Sequence, residues 1–129
     1  MKTPVLLLLT KDKELEDLVT KLLLEVGGLT RLARNADEAL TIVCEVPDLY
    51  LAIVDFEHGP HGMTLLRAIN TVCRQLPVIV ITGDDERHVA AVAYTNGAAA
   101  CLAKPVSVTQ LMSAIRELVY FEPELAHAC

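Results

Sequence analysis

The stretch VLLLLTKDKE, residues 5–14, gives the first indication of the fold. Five apolar residues run without a break into a polar and mostly charged segment. A short continuous apolar run that ends at a turn signal is consistent with a buried strand. In a parallel sheet covered on both faces, such strands end at the edge where binding sites are built. The residues that follow Leu9, beginning with Thr10 and Lys11, are therefore candidates for a site.

The same alternation of an apolar run and a segment with helical periodicity recurs along the whole chain. The predicted strands are Val5–Leu9, Leu29–Ala33, Leu49–Val54, Val78–Ile81 and Ala99–Ala103. Capping signals stand where the helices between them are expected to begin or end. These signals are Asp12, Gly27-Gly28, Asn35 with Glu38, Asp84-Asp85-Glu86, and Ser107 with Gln110. The pattern predicts an α/β fold with five strands and five helices.

Apolar strands that alternate with amphipathic helices favour a parallel sheet with helices on both faces. Five such units suit a doubly wound sheet of strand order 2-1-3-4-5, with a crevice between the first and third strands. The 129 residues are enough for one domain. We expect its core at about residues 4–121, followed by a short tail at residues 122–129.

Composition excludes several classes of protein. Eleven basic against seventeen acidic residues give a net charge of −6, and no basic face is evident, so nucleic-acid binding is not expected. The apolar runs are too short for a membrane span or a signal peptide, which predicts a cytoplasmic protein without membrane contact. The four cysteines match no zinc or redox spacing, and Cys44, Cys73 and Cys101 are expected to be reduced core thiols.

Polar residues follow four of the predicted strands: Thr10 and Lys11, Asp55, Thr82, and Lys104. Neighbouring strands lie roughly 4.8 Å apart, so groups at their ends can meet. Taken singly, each residue has an ordinary structural explanation, such as a turn aspartate or a strand-forming threonine. Their joint position at one edge of the predicted sheet favours a site.

These residues resemble the receiver domain of two-component response regulators, over about residues 4–121. The matching segments are LAIVD ending at Asp55, Gly62 at the start of the third helix, PVIVITG with Thr82, and NGAAACLAKPV with Gly97, Lys104 and Pro105. The resemblance implies a (βα)5 flavodoxin-like receiver fold. It implies that Asp55 accepts a phosphoryl group from a histidine kinase. It further implies that Thr82 and Lys104 contact that group and that the Lys104–Pro105 peptide bond is cis.

The chemistry of phosphoryl transfer explains these residue types. A carboxylate nucleophile must be ionised and reachable. Positive charge must reach the phosphoryl oxygens, and in the family Mg²⁺ held by carboxylates supplies much of it. A hydroxyl that turns toward the new phosphoryl group creates a two-state switch.

This sequence departs from the family where the metal is held. Thr10 and Lys11 replace the acidic pair that normally ends the first strand, and Asp12 falls one position too late, where it is expected to be the helix N-cap. The loop after Asp55 is shorter than in the family, although its Glu57 remains a possible extra acid. Cys101 stands where many members carry an aromatic switch residue.

Lys11 near Asp55 repels a divalent cation, so we expect weak or absent Mg²⁺ binding and Lys11 as the counterion of Asp55. No other cofactor is expected. TKDKEL lacks the glycine of a flavin phosphate loop, and the chain has no dinucleotide or P-loop motif. The pair His58 and His61 has no third ligand at metal-binding spacing, and no catalytic triad lies at the predicted edge.

Two functions stay open from the sequence. The first is a degenerate receiver, impaired in Mg²⁺-dependent phosphorylation of Asp55, that acts through protein–protein contacts. The alternative is a working phosphoacceptor switch. In either case the only enzymatic activity expected is self-phosphorylation and dephosphorylation. The resemblance implies a histidine kinase or an output protein as partner, bound at the face of the fourth helix, fifth strand and fifth helix, about residues 86–120. An unrelated small-ligand domain on the same fold is a third possibility.

Overall fold

The computed structural model describes residues 3–56, 61–83 and 87–118. Strands and helices alternate strictly along the chain, as the sequence predicts. In order they are β1 (Val5–Leu9), α1 (Lys13–Glu25), β2 (Leu29–Ala33), α2 (Ala36–Glu45), β3 (Leu49–Asp55), α3 (His61–Val72), β4 (Val78–Thr82), α4 (Arg87–Thr95), β5 (Ala100–Ala103) and α5 (Val108–Leu118). The predicted and observed strand bounds differ by at most one residue.

The five strands form one parallel sheet of order β2-β1-β3-β4-β5, which confirms the predicted topology. The strand order reverses at β1, which pairs with both β2 and β3. In open α/β sheets, sites form at the carboxyl ends of the strands beside such a reversal. The topology therefore directs attention to the ends of β1 and β3.

The core has two layers, one on each face of the sheet, because successive strand residues point to opposite faces. Leu6 and Leu8 of β1 belong to the layer that contains buried residues of α1 and α5, whereas Leu7 belongs to the layer that contains those of α2, α3 and α4. The central strands carry almost only buried residues, while the two edge strands are partly exposed. This burial explains why the central strands read as unbroken apolar runs rather than alternating ones.

Several predicted caps are present. Asp12 is the N-cap of α1, where its carboxylate accepts hydrogen bonds from the backbone N–H groups of Glu14 and Leu15. Gly27 and Gly28 end α1 with two backbone bonds to its last turn, a Schellman motif. The capping box predicted at the start of α5 forms between Ser107 and Gln110. At the start of α2, Asn35 is the N-cap and accepts from the Glu38 N–H, but the Glu38 side chain accepts from the Arg34 N–H instead of from that of Asn35. The cap expected at residues 84–86 lies outside the described residues.

The expectation of reduced core thiols is wrong for two cysteines. Cys44 is exposed on α2 and free, whereas Cys73 is buried but disulfide-bonded. Cys101 is free and half-buried against the core, as expected. Within the described part of the chain, no helix is both long and apolar enough to cross a bilayer.

Candidate functional site

The strand register brings the predicted site residues to one edge of the sheet. Leu9 pairs with Val54, so Thr10 and Asp55 follow side by side at the ends of β1 and β3. Thr82 pairs with Ala103, which places Lys104 directly beyond the end of β5. The local cause is the burial of β3 and β4 on both faces, which fixes the register and with it the position of each end residue.

Asp55 is a buried carboxylate with strong partners. Its side chain has 0% exposed surface. Its Oδ2 accepts a hydrogen bond from Thr10 Oγ1 at 2.7 Å and another from Lys104 Nζ at 2.9 Å. The second is also an ion pair. A buried charge is stable only when it is paired and hydrogen-bonded, and this oxygen meets both conditions.

Lys104 joins Asp55 to a second carboxylate, that of Asp12. Lys104 Nζ lies 2.9 Å from Asp12 Oδ2, and the Asp12 backbone N–H donates to Thr10 Oγ1 at 3.0 Å. The hydrogen bond from Lys104 is the largest influence on the pKa of Asp12 and lowers it below its usual value, against the raising effect of burial. One network thus ties the ends of β1, β3 and β5 together.

The structure corrects two expectations about this turn. Lys11 is exposed, and Lys104 rather than Lys11 is the counterion of Asp55. Asp12 is the N-cap, as predicted, but it also enters the site, which the sequence reasoning did not anticipate. The residue type could have indicated this contact. An N-cap carboxylate uses only one oxygen for the helix, so its second oxygen can accept a hydrogen bond from a cation. Two carboxylates therefore contact one partly buried ammonium group.

Thr82 and Lys104 are linked across β4 and β5. Thr82 is buried. Its hydroxyl donates a hydrogen bond to the Leu102 carbonyl oxygen at 3.5 Å. Its own carbonyl oxygen accepts from the Lys104 backbone N–H at 3.0 Å. The hydroxyl is thus directed to β5 rather than to Asp55. The Lys104–Pro105 peptide bond is cis, the form that the resemblance implies.

Cys101 has an aromatic neighbour on α4. The Cys101 backbone N–H donates to the Tyr94 hydroxyl at 3.1 Å, and burial raises the pKa of the Cys101 thiol. The aromatic group beside β5 therefore comes from a helix instead of from position 101. Spacing along the sequence does not indicate this contact.

The donor atoms at this edge suit a divalent cation poorly. Mg²⁺ takes six oxygen ligands in near-ideal geometry, with carboxylates among them. At the end of β1 the available ligand is the Thr10 hydroxyl. At the end of β3 it is the Asp55 carboxylate, whose Oδ2 already accepts two hydrogen bonds. Over residues 3–56, 61–83 and 87–118, no group of three His, Cys, Asp or Glu side chains is placed to hold a metal ion. Glu57 and His58 lie outside those ranges, and the side chain of His61 is not described.

The fold and the polar edge together define a class, the receivers of two-component signalling. The chain belongs to the response regulator receiver domain family, whose sequence model matches residues 6–116. No curated protein sequence matches it.

Solved structures of receivers are similar to the chain. A response regulator receiver domain from Clostridium thermocellum is 26% identical with a TM-score of 0.81, over 91% of this chain and 94% of that one. A CheY-like receiver domain from Methanospirillum hungatei JF-1 is 25% identical with a TM-score of 0.81, over 95% and 98%. NtrX from Brucella abortus, in complex with ADP, is 26% identical with a TM-score of 0.83 over 92% of this chain. The chain spans 27% of the length of NtrX.

Proposed function

We propose that this receiver domain is impaired in Mg²⁺-dependent phosphorylation of Asp55 and signals through protein–protein contacts. The observation that carries the proposal is the state of the carboxylate. Its side chain has 0% exposed surface, and one oxygen is held by Thr10 and Lys104. A nucleophile must be reachable, and attack on a phosphodonor requires these bonds to rearrange.

Loss of the metal-binding acids supports the same proposal. Receiver domains normally bind Mg²⁺ at the phosphorylation site. Here a hydroxyl and an exposed ammonium stand at the positions of the acidic pair. The donor set therefore does not fit the ion, and we infer that the domain uses no cofactor.

The alternative function is a working phosphoacceptor switch. It is favoured by the retention of Asp55, Thr82 and Lys104, and by the 2.9 Å contact between Asp55 and Lys104. A lysine at this distance from the acceptor carboxylate also reaches a phosphoryl group attached to it. Under either function we infer no enzymatic activity beyond self-phosphorylation and dephosphorylation.

The proposed partner is a protein, either a histidine kinase or an output protein or domain, since receiver domains act with both. The proposed surface is the face of α4, β5 and α5. Val92, Tyr94 and Val108 are large apolar residues exposed there, at 46%, 52% and 49%. Tyrosine is among the residues that contribute most to protein interfaces.

We propose that about residues 4–121 form one cytoplasmic domain that binds neither nucleic acid nor membrane.

Intact-mass measurement after incubation with acetyl phosphate and Mg²⁺ tests the proposal. We expect little or no added phosphoryl mass on the wild-type protein. The double variant Thr10→Asp, Lys11→Asp rebuilds the acidic pair and should gain Mg²⁺-dependent phosphorylation. Asp55→Asn in that background should abolish it. Ready phosphorylation of the wild-type protein that is lost in Asp55→Asn would establish the switch instead.

A further inference from the structure

Cys73 is a buried cysteine at the amino edge of the sheet, and it is disulfide-bonded. It directly follows α3, where its backbone N–H donates to the Ile69 carbonyl at 2.8 Å. Its side chain belongs to the core layer on that face and is 3% exposed. The sequence has four cysteines, of which Cys44 and Cys101 are free. Cys129 is therefore the remaining candidate for the partner of Cys73.

Cys101 remains a thiol for a physical reason. Its Sγ donates to the Ala90 carbonyl at 3.8 Å, and burial raises the pKa of the thiol. Thiol–disulfide exchange requires the thiolate, so a raised pKa makes Cys101 a poor nucleophile. Cys101 is therefore not expected to exchange with the disulfide of Cys73.

The segment after α5 is long enough to reach Cys73. Helix α5 runs back from the end of β5 toward the amino edge of the sheet and ends at Leu118. Its buried residues belong to one core layer, whereas Cys73 belongs to the other. Crossing between the helix layers takes on the order of two helix diameters, roughly 20 Å. The eleven residues 119–129 extend over at most ~36–40 Å, so they can make this connection.

We propose that Cys73 and Cys129 form a reversible disulfide within one chain, which ties the C-terminal segment, residues 119–129, to the amino edge of the sheet. A low-molecular-weight disulfide is the oxidant. The Cys129 thiolate attacks it and releases one small thiol, and the deprotonated Cys73 then attacks the Cys129 sulfur and releases the second. The protein loses two electrons and two protons, which the small disulfide gains as two thiols. Cytosolic disulfides are usually transient or redox-sensing, which agrees with the proposed cytoplasmic location.

The bond would close residues 73–129 into a covalent ring. This ring contains β4, α4, β5 and α5, and with them the face proposed for the protein partner. A disulfide that closes a long loop restricts the unfolded chain, so the oxidised form should be the more stable one. Reduction would then lower stability and release the C-terminal segment. The inference goes beyond the proposed function and does not depend on it, because phosphorylation is measured at Asp55 and the bond at Cys73.

Peptide mapping of the full chain tests the pairing. The protein is incubated with glutathione disulfide, alkylated, and digested with trypsin without a reductant. The tryptic peptides 68–74 and 117–129 each contain one cysteine and should be joined, whereas Cys44 and Cys101 should be alkylated. Prior reduction should leave all four cysteines alkylated. Alkylated Cys73, or Cys73 joined to anything other than Cys129 of the same chain, would overturn the proposal.

Thermal unfolding with and without dithiothreitol tests the consequence of the bond. Reduction should lower the Tm of the oxidised wild-type protein by on the order of 5–15 °C. Cys129→Ser should melt near the reduced wild type and should not respond to the reductant. Cys44→Ser is the matched control, since Cys44 is free and exposed, and it should respond as wild type does. An unchanged Tm of the wild type on reduction, or an equal fall in Cys129→Ser, would refute the stabilising ring.

Discussion

Lys104 is the cation that pairs with both carboxylates of the site. Its Nζ lies 2.9 Å from a carboxylate oxygen of Asp55 and equally 2.9 Å from one of Asp12, and its side chain is 16% exposed. The attraction between an ammonium and two carboxylates at this distance is strong where water is largely excluded. Lys104 thus compensates the charge of both carboxylates at the end of the sheet.

The Asp12→Asn variant isolates the ion pair with Lys104. Asparagine caps a helix as well as aspartate does, so the variant removes the charge and leaves the cap. Because Lys104 lowers the pKa of folded Asp12, its stabilisation is present above the unfolded pKa of about 3.9 and is lost as pH falls through the lower folded value. We expect the wild-type protein to be more stable at neutral pH, by less than about 1 kcal/mol because the Asp12 side chain is partly exposed.

Urea denaturation at neutral pH and at a series of pH values below about 4 measures this difference. The gap in free energy of unfolding between wild type and Asp12→Asn should shrink on acidification. A gap that stays constant or widens would contradict the assigned pairing.

Thr10 is expected to stabilise the fold through Asp55. Thr10→Val keeps the shape of the side chain but removes the donor from a buried carboxylate, a loss of about 1.5–3 kcal/mol for hydrogen bonds to charged groups. Thr10→Ser retains the hydroxyl and should lose much less. Equilibrium unfolding of the two variants tests the assignment, which fails if they are equally destabilised.

At the scale of the element, two helices end at glycines with positive φ. Gly27 ends α1 at φ 79°, and Gly97 ends α4 at φ 107°. In both, the backbone N–H groups of the three residues after the helix donate to carbonyl groups of its last turn. The surroundings differ. A Cβ at position 27 meets nothing within 4 Å, whereas one at position 97 would lie 2.5 Å from the side-chain nitrogen of Asn70.

Alanine at these two glycines separates backbone strain from crowding. Gly27→Ala should cost about 1–2 kcal/mol, the strain of the left-handed conformation alone. Gly97→Ala should cost more, because Asn70 must also move. The added substitution Asn70→Ala should recover only the excess. Thermal or urea unfolding measures all three variants, and an equal cost at both glycines would show that Asn70 moves freely.

At the scale of the whole molecule, stability depends on the central strands. Ile53 of β3 is 0% exposed and packs with α1 and α5. Ile53→Ala should cost about 2–5 kcal/mol, from lost burial and from the cavity that remains. Leu24 on α1 is 64% exposed, and Leu24→Ala should stay within about 0.5 kcal/mol of wild type. Urea unfolding measures both, and comparable losses would contradict the assigned core.

The sequence by itself determined the elements, their caps and the parallel sheet. Apolar periodicity, capping boxes and a glycine pair act within a few residues, so they can be recognised before the fold is known. The positions of Asp55, Thr82 and Lys104 at one edge followed as well, because parallel strands end on the same side. The strand order 2-1-3-4-5 followed from five alternating units, whereas the cis Lys104–Pro105 bond required the family resemblance in addition.

Only the tertiary structure decided which charges meet. Lys104 and Asp12 are 92 residues apart in the chain, and their contact depends on how β5 and the start of α1 approach each other. In the packed fold Lys11 is exposed, and Lys104 occupies the position beside Asp55 that was predicted for Lys11. Residue type indicates that a charge needs a partner, but the choice among several nearby partners depends on distances of a few ångströms that only the packed fold sets.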